Sequence, residues 1–223
     1  MKDLKAQKGS FYIARLIAEG EHDTQDFKFA ISDARKIARS LSAFANHRGG
    51  RLLVGVKDNG VIAGVRSEED IYVIELAAER YCRPAQTLRF TNFVTEGGAI
   101  VLRAEIDPSP SKGVQVQEAD GRWKAYVRVA DENIAAAPLM VRGWKRRYDA
   151  DRPSLLQFSE AERMLLAMLS GPKPVSVEEF MLQAHISRQT AEEQVVNLYA
   201  EGAIEWQHTA SGWRIIAATD APQ

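Results

Sequence analysis

Cysteine is nearly absent: Cys82 stands alone in 223 residues, which excludes an internal disulfide and a multi-cysteine zinc site. Its apolar-rich surroundings give it the character of a packing residue. The four histidines, His22, His47, His185 and His208, are scattered over separate segments, so no ligand pair and no serine or cysteine triad can be built from spacing. No stretch approaches the roughly 20 apolar residues of a membrane helix, and the polar start, Met1 to Gly9, lacks a signal-peptide core. The expectation is a cytoplasmic protein without a membrane partner. Net charge is also nearly absent, at -1, so any charge-guided function must be local.

What is present is the balance of a globular protein, 45% hydrophobic and 26% charged residues, enough to bury a core. Charge is unevenly distributed. Residues 154–223 carry 4 Lys and Arg against 9 Asp and Glu, a net of -5, and residues 1–153 carry 25 against 21. A polar run, Lys145 to Pro153, lies at the junction and ends in a proline that stops a helix. The boundary is placed there, giving domains 1–150 and 151–223.

The first domain reads as mixed α+β. A helix over Phe11–Ala18 stops at Gly20, a strand follows over Gln25–Phe29, and Ser32 or Asp33 caps a second helix running to His47. The apolar run Arg51–Val56, the turn Lys57-Asp58-Asn59-Gly60 and Val61–Val65 predict a β-hairpin. A helix over Glu68–Tyr81 and strands near Leu88–Val94, Ala99–Ile106 and Trp123–Val129 complete it. The tail predicts three serine-led helices, Ser159–Leu169, Ser176–Ala184 and Ser187–Glu201. Strands Ala203–Gln207 and Gly212–Ala217 follow, in the proportions of a winged helix-turn-helix.

The densest polar cluster is Glu19 to Lys28, with four carboxylates before Phe27 and one imidazole. On a strand, Asp26 and Lys28 share one face while Phe27 and Phe29 point to the other. A carboxylate and an ammonium then stand side by side. Asp58, in the turn after a buried strand, sits where acidic residues converge on a divalent cation, although Asp is also favoured in turns for backbone reasons.

Three blocks resemble the AlbA-like domain of Schlafen proteins and bacterial transcriptional regulators, a group once described as divergent ATPases. They are Gly20-Glu21 to Asp26-Phe27-Lys28, then Ser42 to Gly50 with its Phe44-Ala45-Asn46, then Leu52 to Gly60 with Gly64-Val65 behind. A weaker fourth block is Ala125 to Val129, continuing to Asn133 and Ala135. The resemblance implies an AlbA-like α+β domain over about residues 10–140. In its nuclease members three acidic residues cleave RNA with a divalent metal, and by motif these fall on Glu21, Asp26 and Asp58, with Mg2+ or Mn2+ as the ion and Lys28 at the scissile phosphate. The second of them is usually glutamate, so Asp26 is one methylene short. That shortening alters metal geometry.

The old ATPase description finds little support in the residues. Gly49-Gly50 follow a helix and lead into a strand, whereas a phosphate loop presents its amides at the start of a helix. They are read as a turn requirement. The basic candidates for nucleic acid are Arg35, Lys36, Arg39, Arg48 and Arg51, then Arg142, Lys145, Arg146 and Arg147 beside Trp144. In the tail, Arg188, Gln189 and Thr190 lead the presumptive recognition helix, followed by Glu192 and Glu193, which repel phosphate. Three functions stand open: a homodimeric DNA-binding transcriptional regulator, a metal-dependent endoribonuclease, and an interaction module with neither activity.

Overall fold

The computed structural model describes residues 7–65, 69–149 and 157–218. The predicted helix start at Glu68, the polar N-terminus before Gln7 and the Asp151–Pro153 end of the junction lie outside the described residues. The chain divides into two compact units, residues 1–136 and 137–223.

In the first unit a five-stranded sheet has the order β1 (Gln7–Lys8), β5 (Leu88–Val94), β6 (Ile100–Ile106), β3 (Gly50–Val54), β2 (Gln25–Lys28). β2 runs parallel to β3, with Asp26 opposite Leu52, and β6 is antiparallel to both of its neighbours, β3 and β5. A second, antiparallel sheet has the order β4 (Cys82–Arg83), β7 (Gln115–Gln117), β8 (Trp123–Val129), β9 (Glu132–Ala135).

Between them lies α2 (Ala34–Ala45), N-capped by the Asp33 carboxylate, which accepts from the amides of Arg35 and Lys36. Its Ile37, Leu41 and Phe44 meet Leu52 and Val54 of β3 and Leu102 and Ala104 of β6. The opposite face of the first sheet, Phe27, Leu53 and Val101, packs on Ile13 and Leu16 of α1 (Ser10–Ala18). The sheet is covered on both faces, which is why β3 reads as a continuous apolar run. α3 (Glu69–Leu76) and a π-helical turn, Ala77–Tyr81, close the α2 side.

The Phe44-Ala45-Asn46 block has a physical meaning here. Asn46, buried, donates to the carbonyls of Val114 and Tyr126 (both 2.9 Å) and accepts from the Val114 amide (2.8 Å). Ser42 one turn earlier donates to Val114 O and accepts from the Tyr126 amide. These two side chains stitch the helix to the second sheet and satisfy backbone groups that burial would otherwise orphan.

The predicted hairpin at 51–65 is reduced to one bridge, Val56 to Ile62. Gly55, at φ +89°, ends β3, and a Cβ there would fall 2.6 Å from the Gly64 carbonyl carbon. The Gly55 carbonyl accepts from Ala63 and Gly64 together, so the return segment folds across the strand end instead of pairing along it. β3 takes β2 and β6 as partners. Gly49, at φ +79°, is a turn glycine, where a Cβ would fall 2.7 Å from the Ile106 carbonyl oxygen.

The second unit begins with a helix that the polar composition of the junction concealed, α4 (Pro138–Arg147). α5 (Glu160–Met168), α6 (Val177–Ala184) and α7 (Arg188–Glu201) follow, capped by Ser159, Ser176 and Ser187, the first two as full capping boxes with Glu162 and Glu179. β10 (Ile204–Thr209) and β11 (Gly212–Ala217) form an antiparallel hairpin, and Val175 bridges Ile215 of β11. α7 is enclosed on two sides. Ala191, Val195 and Leu198 are buried on one, and Val196, Tyr199 and Ala200 on the side where α4 packs, with Trp144 donating to the Tyr199 hydroxyl (2.9 Å). Gly143 leaves room for the Tyr199 ring. α4 therefore goes with the tail, and the compact units divide ahead of the polar junction.

Candidate nucleic-acid interface

Gly20, at φ +73°, turns the chain out of α1 and presents Glu21 beside β2. The Glu21 carboxylate accepts from the Phe27 amide (2.7 Å) and lies within hydrogen-bond reach of Asp26. Burial and then that neighbouring carboxylate push its pKa up. Asp26 projects toward α2, as strand alternation requires, and is 4% exposed. Its Oδ2 takes the Lys28 ammonium (2.8 Å) and the Ser40 hydroxyl (3.2 Å), and the Arg128 guanidinium stands 3.7 Å from Oδ1. Burial opposes ionisation of Asp26, but the hydrogen bond from Glu21 and the Lys28 and Arg128 cations outweigh it and hold its pKa down.

Arg128 completes the cluster from β8. It donates to the carbonyls of His22 and Gln25 (3.2 Å each) and to Asn133 Oδ1 (2.9 Å), and Asn133 donates to Ser40 (2.9 Å). The fourth block of the sequence thus supplies the guanidinium that steadies the first. Neither Arg128 nor Asn133 is marked out by residue type alone, and the signal that could have found them is the Arg128-x4-Asn133 spacing across a β8–β9 turn.

Glu21, Asp26 and Lys28 come together; Asp58 occupies an exposed turn beyond β3. Among the described residues no three His, Cys, Asp or Glu side chains are grouped so as to hold a metal ion. The acidic set as it stands offers Glu21 and Asp26, the latter already engaged by Lys28 and Arg128, with Asp58 out of the cluster.

The basic residues divide sharply. Arg39 makes a two-pronged pair with the buried Glu118, which also accepts from Tyr126. Arg51 is held by Gln25 (2.6 Å) and Glu19 (2.7 Å), and Arg35 lies over the Tyr81 ring. Arg48 is exposed, and the Lys36 ammonium has no partner among the described residues. In the second unit Arg146 pairs with Glu193 (2.9 Å), and Arg147 donates to the carbonyls of Tyr199 and Ala200 near the end of α7. Trp144 is buried, so it is a packing anchor and not a stacking platform. Arg188, Gln189 and Thr190 form the exposed first turn of α7, Arg188 pairing with Glu178 and Glu192.

The first unit is accordingly a two-sheet α+β domain organised around one buried helix, with an acid-base network at one end of β2. Residues 21–137, just over half of the chain, match the Schlafen, AlbA_2 family, and the chain belongs to it. No curated protein matches the chain. Among solved structures, the DIP2311 protein from Corynebacterium diphtheriae is similar at 18% identity with a TM-score of 0.41. That match covers 86% of this chain and 34% of the other, so this chain spans about a third of its length. No helix among the described residues is long and apolar enough to cross a membrane.

Proposed function

We propose that the protein is a nucleic-acid-binding regulator of transcription that reads duplex DNA through its second unit, as a winged helix-turn-helix. Membership of the AlbA_2 family supports nucleic-acid binding in general. The observation that carries the DNA reading is the pairing of Arg142 with Glu192 (3.3 Å) and Glu193, and of Arg146 with Glu193. These pairs neutralise the two glutamates that follow the exposed Arg188-Gln189-Thr190 turn. With α4 included, the unit carries nine Lys and Arg against eleven Asp and Glu, a net of -2 where the tail alone has -5. Phosphate repulsion falls accordingly.

Because the exposed residues of α7 are those of its first turn, base contacts come from Arg188, Gln189 and Thr190, side chains able to reach major-groove edges. A homodimer would repeat that short footprint on two half-sites. The test is selection from a random duplex library followed by gel shift across a salt series. A salt-sensitive, sequence-selective shift weakened at least tenfold by Gln189→Ala with Arg188→Ala supports the reading; a shift indifferent to both substitutions overturns it.

A second reading, a divalent-metal-dependent endoribonuclease, is favoured by the contact of Glu21, Asp26 and Lys28. Incubation with transfer RNA in Mg2+, Mn2+ or EDTA tests it. Metal-dependent cleavage abolished by Glu21→Ala supports the nuclease, and intact RNA with either metal removes it.

A further inference from the structure

Between the end of α5, the segment leading into Val175 and one side of α6, the second unit has an open hollow of about 530 Å³. Met168, Pro174, Val175 and Leu182 give it an apolar lining, completed by Lys173, Glu179 and Gln183. Val175 is buried and Met168 and Pro174 are half-buried. Leu182 is 68% exposed, more than any other large apolar side chain described in this unit. An apolar hollow with a leucine left in water at its edge marks a surface that gains from being covered.

The charges of the lining are held in place. One Glu179 oxygen accepts the Ser176 amide (2.8 Å) and the other accepts the Lys173 ammonium (3.0 Å). The capping bond thus orients the carboxylate before any partner arrives, which lowers the ordering cost of a contact. Lys173, 81% exposed, uses one ammonium proton on that pair and keeps two.

These features select the occupant. A small molecule in the hollow would leave Leu182 in water, and the Lys173–Glu179 pair offers it no net charge to recognise. A protein surface covers the hollow and the leucine together. The chain itself supplies the complement. Turned about a twofold axis, a second copy brings a projecting leucine to the hollow, a glutamate to Lys173 and a lysine to Glu179.

We infer that the second unit pairs with a second copy of itself through this surface, each Leu182 entering the other copy's hollow and Lys173 and Glu179 forming reciprocal ion pairs. The patch is small and belongs to the weak class of interfaces, so the dimer forms as concentration rises. The pairing needs no nucleic acid, so it and the reading of duplex DNA can fail separately.

The experiment is sedimentation of the full chain, without nucleic acid, over a hundredfold range of concentration. The mass should rise toward twice that of the chain. Leu182→Glu should abolish the rise while leaving the melting temperature of the dilute protein unchanged, and Leu182→Met should retain it. Leu182→Cys should form a disulfide between copies on mild oxidation, against a background in which the buried Cys82 forms none. Lys173→Glu and Glu179→Lys should each weaken association at least tenfold, and an equal mixture of the two should recover it, because each then meets its opposite. A variant that had merely unfolded would not recover on mixing. A monomer at every concentration, a dimer indifferent to Leu182→Glu, or a mixture no better than either variant alone overturns the inference.

Discussion

Both units set arginine against carboxylate, and the two settings differ in what the pair does. In the first, Arg128 and Asp26 have side chains only 1% and 6% exposed, and the guanidinium lies over the Phe44 ring with two backbone carbonyls, a carboxylate and an amide oxygen as its polar partners. In the second, Arg142 and Glu193 are each 41% exposed and lie along the surface between α4 and α7. A buried pair gains little over an apolar substitute, yet removing one partner strands the other. An exposed pair is screened, and its deletion is cheap. Arg128 therefore holds a structure, whereas Arg142 sets the charge of a surface.

Arg128→Ala strains that contrast hardest. It leaves Asp26 short of a cation and takes one of two donors from each of the His22 and Gln25 carbonyls, and should cost about 3–5 kcal/mol in denaturant unfolding, with hydrogen-exchange protection lost in β2, β8 and β9. Asn46→Ala comes next. It removes the partners of buried Val114 and Tyr126 backbone groups, at about 1–3 kcal/mol for an unsatisfied group, measured in the same way.

Smaller effects belong to the second unit. Ser176→Ala removes a cap, at about 1 kcal/mol, read from the unfolding midpoint. Its reciprocal partner supplies a pH signature. The Ser176 amide, and then Lys173, hold the Glu179 pKa down to about 2, against an ordinary value of 4.5. The folded state thus favours the charged form, so its contribution is complete above pH 4.5 and fades as pH falls from 4.5 toward 2. Thermal melts of wild type and Glu179→Gln between pH 6 and 2.5 should converge across that window.

Arg142→Ala is the smallest expected change in stability, under about 1 kcal/mol, but it takes one of two arginine partners from each of Glu192 and Glu193 and should weaken duplex binding in the gel shift. If Arg142→Ala unfolded the protein as readily as Arg128→Ala, the distinction between a structural and a surface pair would collapse.

Much of the framework was legible because it follows local rules. The four-and-three spacing of Ile37, Leu41 and Phe44 announced α2, alternation placed Asp26 and Lys28 side by side, and each tail helix declared itself with a serine cap. What was not legible depends on partners distant in the chain. α4 looked like a solvated polar run because its arginines find their carboxylates about fifty residues later. The turn at Asp58-Asn59-Gly60 carried a hairpin signature, but Gly55 broke the strand before a ladder could form. In the candidate site Glu21, Asp26 and Lys28 were visible, whereas the fourth block gave no sign that its Arg128 and Asn133 close the cluster.

That last separation bears on the order in which the protein is made. Arg128 reaches the His22 carbonyl across a sequence distance of 106 residues. β2, α2 and β3 form a continuous segment that can pair early, while closing so long a loop carries an entropic cost that must be met before the bond forms. On the ribosome, N-terminal segments emerge first, so Asp26 stays without its guanidinium until β8 has emerged. The acid-base network is a late event in folding, and a chain truncated before Arg128 should present the carboxyl pair exposed, hydrated and unpaired with its arginine.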